Sequence, residues 1–132
     1  MSNMNNKVKK VLKLACLEAG KIILKNYGKK KNVKSKGNND WVTNQDIIIE
    51  KKIIQIIKKT FPDSSFIGEE TGFSNARSNI TWVIDPIDGT NNYIHDYPFF
   101  CTSIGVLINN KIQYGACLLY TSPSPRDGLL SR

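Results

Sequence analysis

The sequence predicts an α+β domain in which two N-terminal helices precede a largely antiparallel sheet, and three observations carry that prediction. Apolar residues recur at helical spacing from Val8 to Thr60, give way to short strand-like runs after Pro62, and close with two runs joined by Asn109-Asn110. Strands follow one another here, which speaks against a succession of βαβ units. The 132 residues, 40% of them hydrophobic, can bury one modest core and so form one domain at most.

Val8, Val11, Leu12, Ala15, Ala19, Ile22 and Ile23 define the first helix, which should end near Tyr27-Gly28 because Gly accepts the left-handed conformation that closes helices. Lys29 to Asn39 carries charges, Gly and Asn without a period and is expected to be a mobile loop. A second helix should begin close to Thr43, whose hydroxyl and Asp46 three residues on resemble a capping pair. It continues through Ile49, Ile53, Ile56 and Ile57 to Thr60, where Phe61-Pro62-Asp63 stops it. Strands are expected over Ser65 to Gly68, Thr81 to Asp85, Thr102 to Ile108 and Lys111 to Ala116. The last two form a hairpin, because Asn tolerates the positive φ that a two-residue turn requires. Trp82, Tyr93, Tyr97, Phe99 and Phe100 are most simply core aromatics.

A formal charge of +8 raises the possibility of nucleic-acid binding. The distribution argues against it. Apart from Lys29-Lys30-Lys31, Lys34 and Lys36, the lysines fall on what should be solvated helix faces such as Lys51, Lys52, Lys58 and Lys59, with no aromatic residues interleaved. Attraction of an anionic substrate fits the charge better. No stretch approaches the apolar length of a membrane span, and the polar start with charge-spaced apolar residues gives no secretory core, so a cytoplasmic location is expected. Cys16, Cys101 and Cys117 lack paired or metal-ligand spacing and are expected to be buried, reduced thiols.

The most informative stretch is Trp82-Val-Ile-Asp85-Pro-Ile-Asp88-Gly-Thr90, which sets two carboxylates three residues apart at the end of an apolar run. Pro86 should break the strand's ladder, and Gly89 with Thr90 can open a turn or helix. Taken alone, such a cluster is usually no more than a turn followed by a capping Asp. Two further acidic clusters, Gly68-Glu69-Glu70 and Val42-Thr43-Asn-Gln-Asp46, point instead to a shared site for a hard cation, which takes oxygen ligands, beside a phosphate.

In order, spacing and flanking residues these three clusters, together with Asn92-Tyr-Ile-His95-Asp-Tyr-Pro98-Phe, resemble the inositol monophosphatase family. The similarity runs from about Val8 to Ala116, and the Asp85 to Thr90 motif is specific for the wider superfamily of lithium-sensitive, Mg²⁺-dependent phosphatases. The resemblance implies a layered helix and sheet sandwich with the metal site where strand ends meet a helix start. It implies that Glu69, Asp85, the backbone carbonyl of Ile87 and Asp88 ligate Mg²⁺, and that Thr90, hydrogen-bonded towards Asp46, orients and helps deprotonate the attacking water. Gly89 and Thr90 would hold phosphate oxygens through their N–H groups, with Glu69 and Asp88 also beside the substrate. Glu70 is left out of the metal set, since neighbours on extended backbone point to opposite faces. His95 is expected to be a surface or packing residue, because the oxygen ligands already suit Mg²⁺.

The substrate implied is inositol monophosphate or a similar sugar or polyol phosphate. Related phosphatases of 3′-phosphoadenosine nucleotides or fructose bisphosphate would share the motifs, and some bacterial members of the family are thought to be partners of RNA or the transcription machinery. The family is often homodimeric.

Composition changes at Cys117. Up to Ala116 the chain uses Lys, Asn and Ile heavily and one Arg, Arg77, whereas Cys117 to Arg132 has no Lys, Asn or Ile, two Arg and two Pro. The segment Cys117 to Asp127 resembles a translated sequencing adapter, so residues 1–116 are taken as the N-terminal part of an inositol monophosphatase-like domain and residues 117–132 as a non-native tail. The family draws one more metal-binding Asp, in a Trp-Asp-x-Ala-Ala-Gly-like element, from its second half. The 132-residue polypeptide expressed alone is therefore expected to fold poorly or to be inactive.

Overall fold

The computed structural model describes residues 2–28, 33–37, 40–74, 78–95, 100–120 and 129–131. Two helices lie together on one face of a mixed sheet. The first, α1 (Ser2–Asn26), begins earlier than the apolar stripe required and ends where predicted, with Gly28 at φ 78 just beyond it. After α1 a short antiparallel pair forms from β1 (Val33–Gly37) and β2 (Asp40–Thr43). This corrects the expected loop: polar residues without a hydrophobic period still pair through their backbones when a partner strand stands a tight turn away. Residues 29–32 and 38–39 of that loop lie outside the described residues.

Helix α2 (Asn44–Thr60) starts on a capping box. The Thr43 N–H donates to Asp46 Oδ2 at 2.9 Å and the Asp46 N–H to Thr43 Oγ1 at 3.4 Å. Phe61 caps the other end through its N–H on the Ile57 carbonyl. The remaining strands are β3 (Ser65–Gly68), β4 (Gly72–Ser74), β5 (Ile80–Asp88), β6 (Phe100–Ile108), β7 (Lys111–Tyr120) and β8 (Leu129–Ser131), with the short helix α3 (Thr90–Ile94) after β5. They form one sheet in the order β4-β3-β5-β6-β7-β8, antiparallel except where β3 runs parallel to β5. The β6–β7 hairpin turns at Asn109 and Asn110, both at positive φ (53 and 63), as the turn chemistry required.

β4 and the parallel β3–β5 pair were not expected. Nor does Pro86 end the ladder: β5 continues to Asp88, and the missing N–H is absorbed by a bulge between Asp85 and Asp88. The core lies between the helices and the sheet. Val8, Ala15, Ala19 and Ile23 of α1 and Ile49, Ile53 and Ile57 of α2 pack against Phe66, Trp82, Ile84, Ile104 and Val106. Trp82 is buried with its indole N–H donating to Ser64 Oγ at 3.0 Å. Tyr93 and Phe100 are core residues as expected; Tyr97 and Phe99 lie outside the described residues.

Candidate active site

Three segments distant in sequence meet at the C-terminal end of β5. The bulge turns the chain at Asp85-Pro86-Ile87-Asp88, and the buried Thr102 on neighbouring β6 holds that corner by donating its hydroxyl to the Pro86 carbonyl at 2.7 Å. Gly89, at φ 87, reverses the chain into α3, and Tyr93 of α3 locks onto Phe100 edge to face at 5.2 Å. α3 packs against β2, whose end carries Thr43 and the start of α2. The corner after β5 is thereby delivered to Asp46.

Thr90 makes the connection. Its hydroxyl lies 3.1 Å from Asp46 Oδ1 and 2.9 Å from the Ile87 carbonyl oxygen. One hydroxyl hydrogen serves one acceptor at a time, so Thr90 either donates to Asp46 or occupies the Ile87 carbonyl. Asp46 is fully buried. Burial pushes its carboxyl up, and the hydrogen bonds from Thr43 and Thr90 pull it back. Asp46 thus caps α2 and also meets Thr90, for its two oxygens serve different partners: Oδ2 accepts from Thr43 and Oδ1 from Thr90.

Asp85 is half-buried. Its carboxyl is pushed up to about 6, by burial first and then by the charges of Asp88, Glu69, Asp46 and Glu70, in that order. Carboxylates from all three clusters are therefore within electrostatic reach of one group. Glu69 acts on it more strongly than Glu70. Contrary to expectation, both residues sit in the turn between β3 and β4 and not on extended backbone, so alternation along a strand does not separate them. Asp88 is exposed at the end of β5, with Cys101 Sγ 3.9 Å from its Oδ2. Among the described residues no three acidic, His or Cys side chains converge on a single point at ligand distance. As donors these carboxylates offer hard oxygens, the kind Mg²⁺ takes, and among the described residues Asp88, Glu69, Asp46 and Glu70 all act on Asp85 with negative charge, so the set fits a divalent cation.

His95 is exposed, just after α3. Cys16 is a buried free thiol, but Cys101 and Cys117 are only half-buried, and both lie 3.7 Å from Ser103 Oγ, Cys101 two residues away on the same strand and Cys117 directly across from it on β7. Sequence reading missed Thr102 and Glu50. Thr102 gave no signal, while Glu50 did: it lies one helical turn from Asp46 in the stripe that buries Ile53 and Ile57.

Residues 4–118 match the model of the inositol monophosphatase family. The chain belongs to that family. A relative from Aquifex aeolicus, fructose-1,6-bisphosphatase/inositol-1-monophosphatase, is 39% identical over 121 residues, covering 90% of this chain and 46% of its own. The Nus factor SuhB of Haemophilus influenzae is 42% identical over 104 residues, covering 76% of this chain and 39% of its own. The crystal structure of the extragenic suppressor protein SuhB from Bartonella henselae superposes with a TM-score of 0.82 at 32% identity, over 86% of this chain and 45% of that one. This member of the inositol monophosphatase family thus spans about half the length of the relatives it matches.

Proposed function

We propose that the whole protein is a Mg²⁺-dependent phosphomonoesterase acting on inositol monophosphate or a similar sugar or polyol phosphate. The observation that carries this reading is the hydrogen bond between Thr90 and Asp46, which joins the corner after β5 to the start of α2. Glu69, Asp85, the Ile87 carbonyl and Asp88 would hold the cation. When bound, Mg²⁺ supplies Lewis acidity and makes a neighbouring water more acidic. Thr90 orients the attacking water, and its proton passes through the Thr90 hydroxyl to Asp46, whose burial makes it a better proton acceptor than an exposed Asp. The Gly89 and Thr90 N–H groups hold phosphate oxygens, and Glu69 and Asp88 border the substrate. No covalent phosphoenzyme forms on this route.

Fructose bisphosphate or a 3′-phosphoadenosine nucleotide would engage the same residues, and the name of the Aquifex relative joins two of these substrate classes. The test is phosphate release by the whole protein from inositol 1-phosphate, fructose 1,6-bisphosphate and a 3′-phosphoadenosine nucleotide, with and without EDTA. Mg²⁺-dependent turnover highest on inositol phosphate is expected. Undiminished turnover in EDTA would overturn the metal assignment, and a nucleotide preference the substrate.

A second reading rests on the similarity to proteins named SuhB, one of them a Nus factor. In it the basic segment Lys29 to Lys36 contacts RNA or the transcription machinery, and replacing its lysines abolishes that binding while leaving hydrolysis intact. A homodimer working in the cytoplasm belongs to the main proposal. No helix among the described residues is long and apolar enough to cross a membrane.

A further inference from the structure

The turn that carries Glu69 is tied down by a buried acid for which the reaction has no use. Glu50 of α2 is 0% exposed. Its Oε1 accepts the N–H of Glu70 at 3.0 Å, and its Oε2 accepts the N–H of Thr71. These are charge-assisted bonds, shorter and stronger than bonds between neutral groups. The N–H of the preceding residue, Glu69, donates to the Ile84 carbonyl at 3.2 Å, so it is fixed to the strand one residue before Asp85. Three successive amides, at 69, 70 and 71, are therefore all held: one by β5 and two by the helix layer.

Gly68 completes the arrangement. A Cβ at this position would stand 2.6 Å from Glu50 Cδ and 2.6 Å from Oε2, closer than such atoms approach. The glycine is needed because the Glu50 carboxylate fills the space a side chain would take. Helix α2 thus grips the corner twice, through Asp46 on Thr90 and, one turn later, through Glu50 on the 68–71 turn.

We infer that Glu50 is a positioning residue for the cation site: its carboxylate clamps the Glu70 and Thr71 amides and so fixes the direction from which Glu69 approaches Asp85. The inference rests on the phosphatase reading above. A group that orients a ligand without touching the metal changes metal affinity by about 10- to 100-fold when removed. Glu50→Gln keeps the shape, loses the charge, and sets an NH₂ against one of the two amides.

The experiment uses the whole protein and Mn²⁺ as probe, followed by the paramagnetic resonance signal of the free ion, together with Mg²⁺ titration of turnover and amide exchange. For Glu50→Gln the Mn²⁺ dissociation constant and the Mg²⁺ concentration for half-maximal turnover should rise together by about tenfold or more. Turnover at saturating Mg²⁺ should stay close to wild type, and the Glu70 and Thr71 amides should exchange faster. A lower melting temperature with unchanged Mn²⁺ affinity would mean that Glu50 only stabilises the fold, and would overturn the inference. Should Glu50→Gln fail to fold, Gly68→Ala keeps the carboxylate but displaces it. The same loss of affinity is expected there, and unchanged affinity overturns the clamp. A wild-type protein that takes up no Mn²⁺ overturns the phosphatase reading instead, and the exchange rates at Glu70 and Thr71 still decide whether Glu50 holds the turn.

Discussion

Thr90 and Asp46 are 44 residues apart in the chain and 3.1 Å apart in the fold, joined by a hydrogen bond from the threonine hydroxyl to Asp46 Oδ1. The contact exists because three short elements converge. β5 bulges at Pro86, α3 leaves the bulge through a left-handed glycine, and β2 ends on the threonine that caps α2.

Replacing either partner should cost the whole protein most of its turnover. For Thr90→Ala a fall in kcat of about 10² to 10⁴ is expected, the usual range for a positioned proton-transfer group, with Thr90→Ser largely active because it keeps the hydroxyl. Asp46→Asn should lose activity similarly and also weaken the cap of α2, with about 1 kcal/mol of stability lost. Phosphate-release kinetics and urea melts separate the two effects. Equal kcat in Thr90→Ala and wild type would remove Thr90 from the reaction.

Much of this site was legible because its residues advertise themselves. Thr43 and Asp46 form a capping pair three apart, and Asp85 and Asp88 flank a proline at the end of an apolar run. Both helices, the Asn-Asn hairpin and the core faces followed from period and turn chemistry alone. What was hidden depends on neighbours in space. β1 and β2 carry no hydrophobic alternation, and their pairing is backbone only. The parallel β3–β5 contact is a tertiary choice that no local run of residues encodes. Thr102 is one more small polar residue in a strand until Pro86 is placed beside it. Glu50 was the recoverable miss, since an acid inside a buried isoleucine stripe needs a partner.

Thr102 offers a test of the corner that is independent of catalysis. Its hydroxyl satisfies the Pro86 carbonyl at 2.7 Å in a buried position. Thr102→Val keeps the volume and strands that carbonyl, so a loss of about 1 to 3 kcal/mol in denaturant unfolding is expected. Thr102→Ser should recover most of it. An unchanged midpoint for the valine variant would mean that the corner is held by the strand ladder alone.

Asp85 makes stability depend on pH in a direction opposite to that of most carboxylates. Its folded-state value lies near 6, above the ordinary 3.8, because it is partly buried and faces Asp88, Glu69, Asp46 and Glu70. The folded protein therefore holds this proton where the unfolded chain has released it. The stability Asp85 contributes is fully present below about 3.8 and is lost as pH rises through about 6. Melting temperatures in EDTA should show wild type losing ground to Asp85→Asn across that window. Because a cation needs the ionised carboxylate, Mg²⁺ affinity should climb over the same range and level off above it. Parallel melting curves for the two proteins would show that the neighbouring acids do not act on Asp85.

The outer face of the sheet carries the last prediction. Ile67 pairs in register with Phe73 on one side and Val83 on the other, forming an apolar row across β4, β3 and β5. Their exposures are 41%, 65% and 37%, while Phe66 and Trp82, next to them in sequence but on the helix-covered face, are buried. A contiguous exposed patch of this kind drives self-association. The 132-residue chain expressed by itself should bind a hydrophobic dye, sediment as concentration-dependent oligomers, and show neither a cooperative thermal transition nor phosphate release. Replacing Ile67, Phe73 and Val83 together by Thr should reduce dye binding and self-association without restoring turnover, because threonine keeps the strand propensity and adds a hydroxyl to the exposed face. A cooperative melt by circular dichroism together with phosphatase turnover from the unmodified 132-residue chain would contradict this, and would show that the Asp46, Glu69, Asp85, Asp88 and Thr90 constellation works with no further residues.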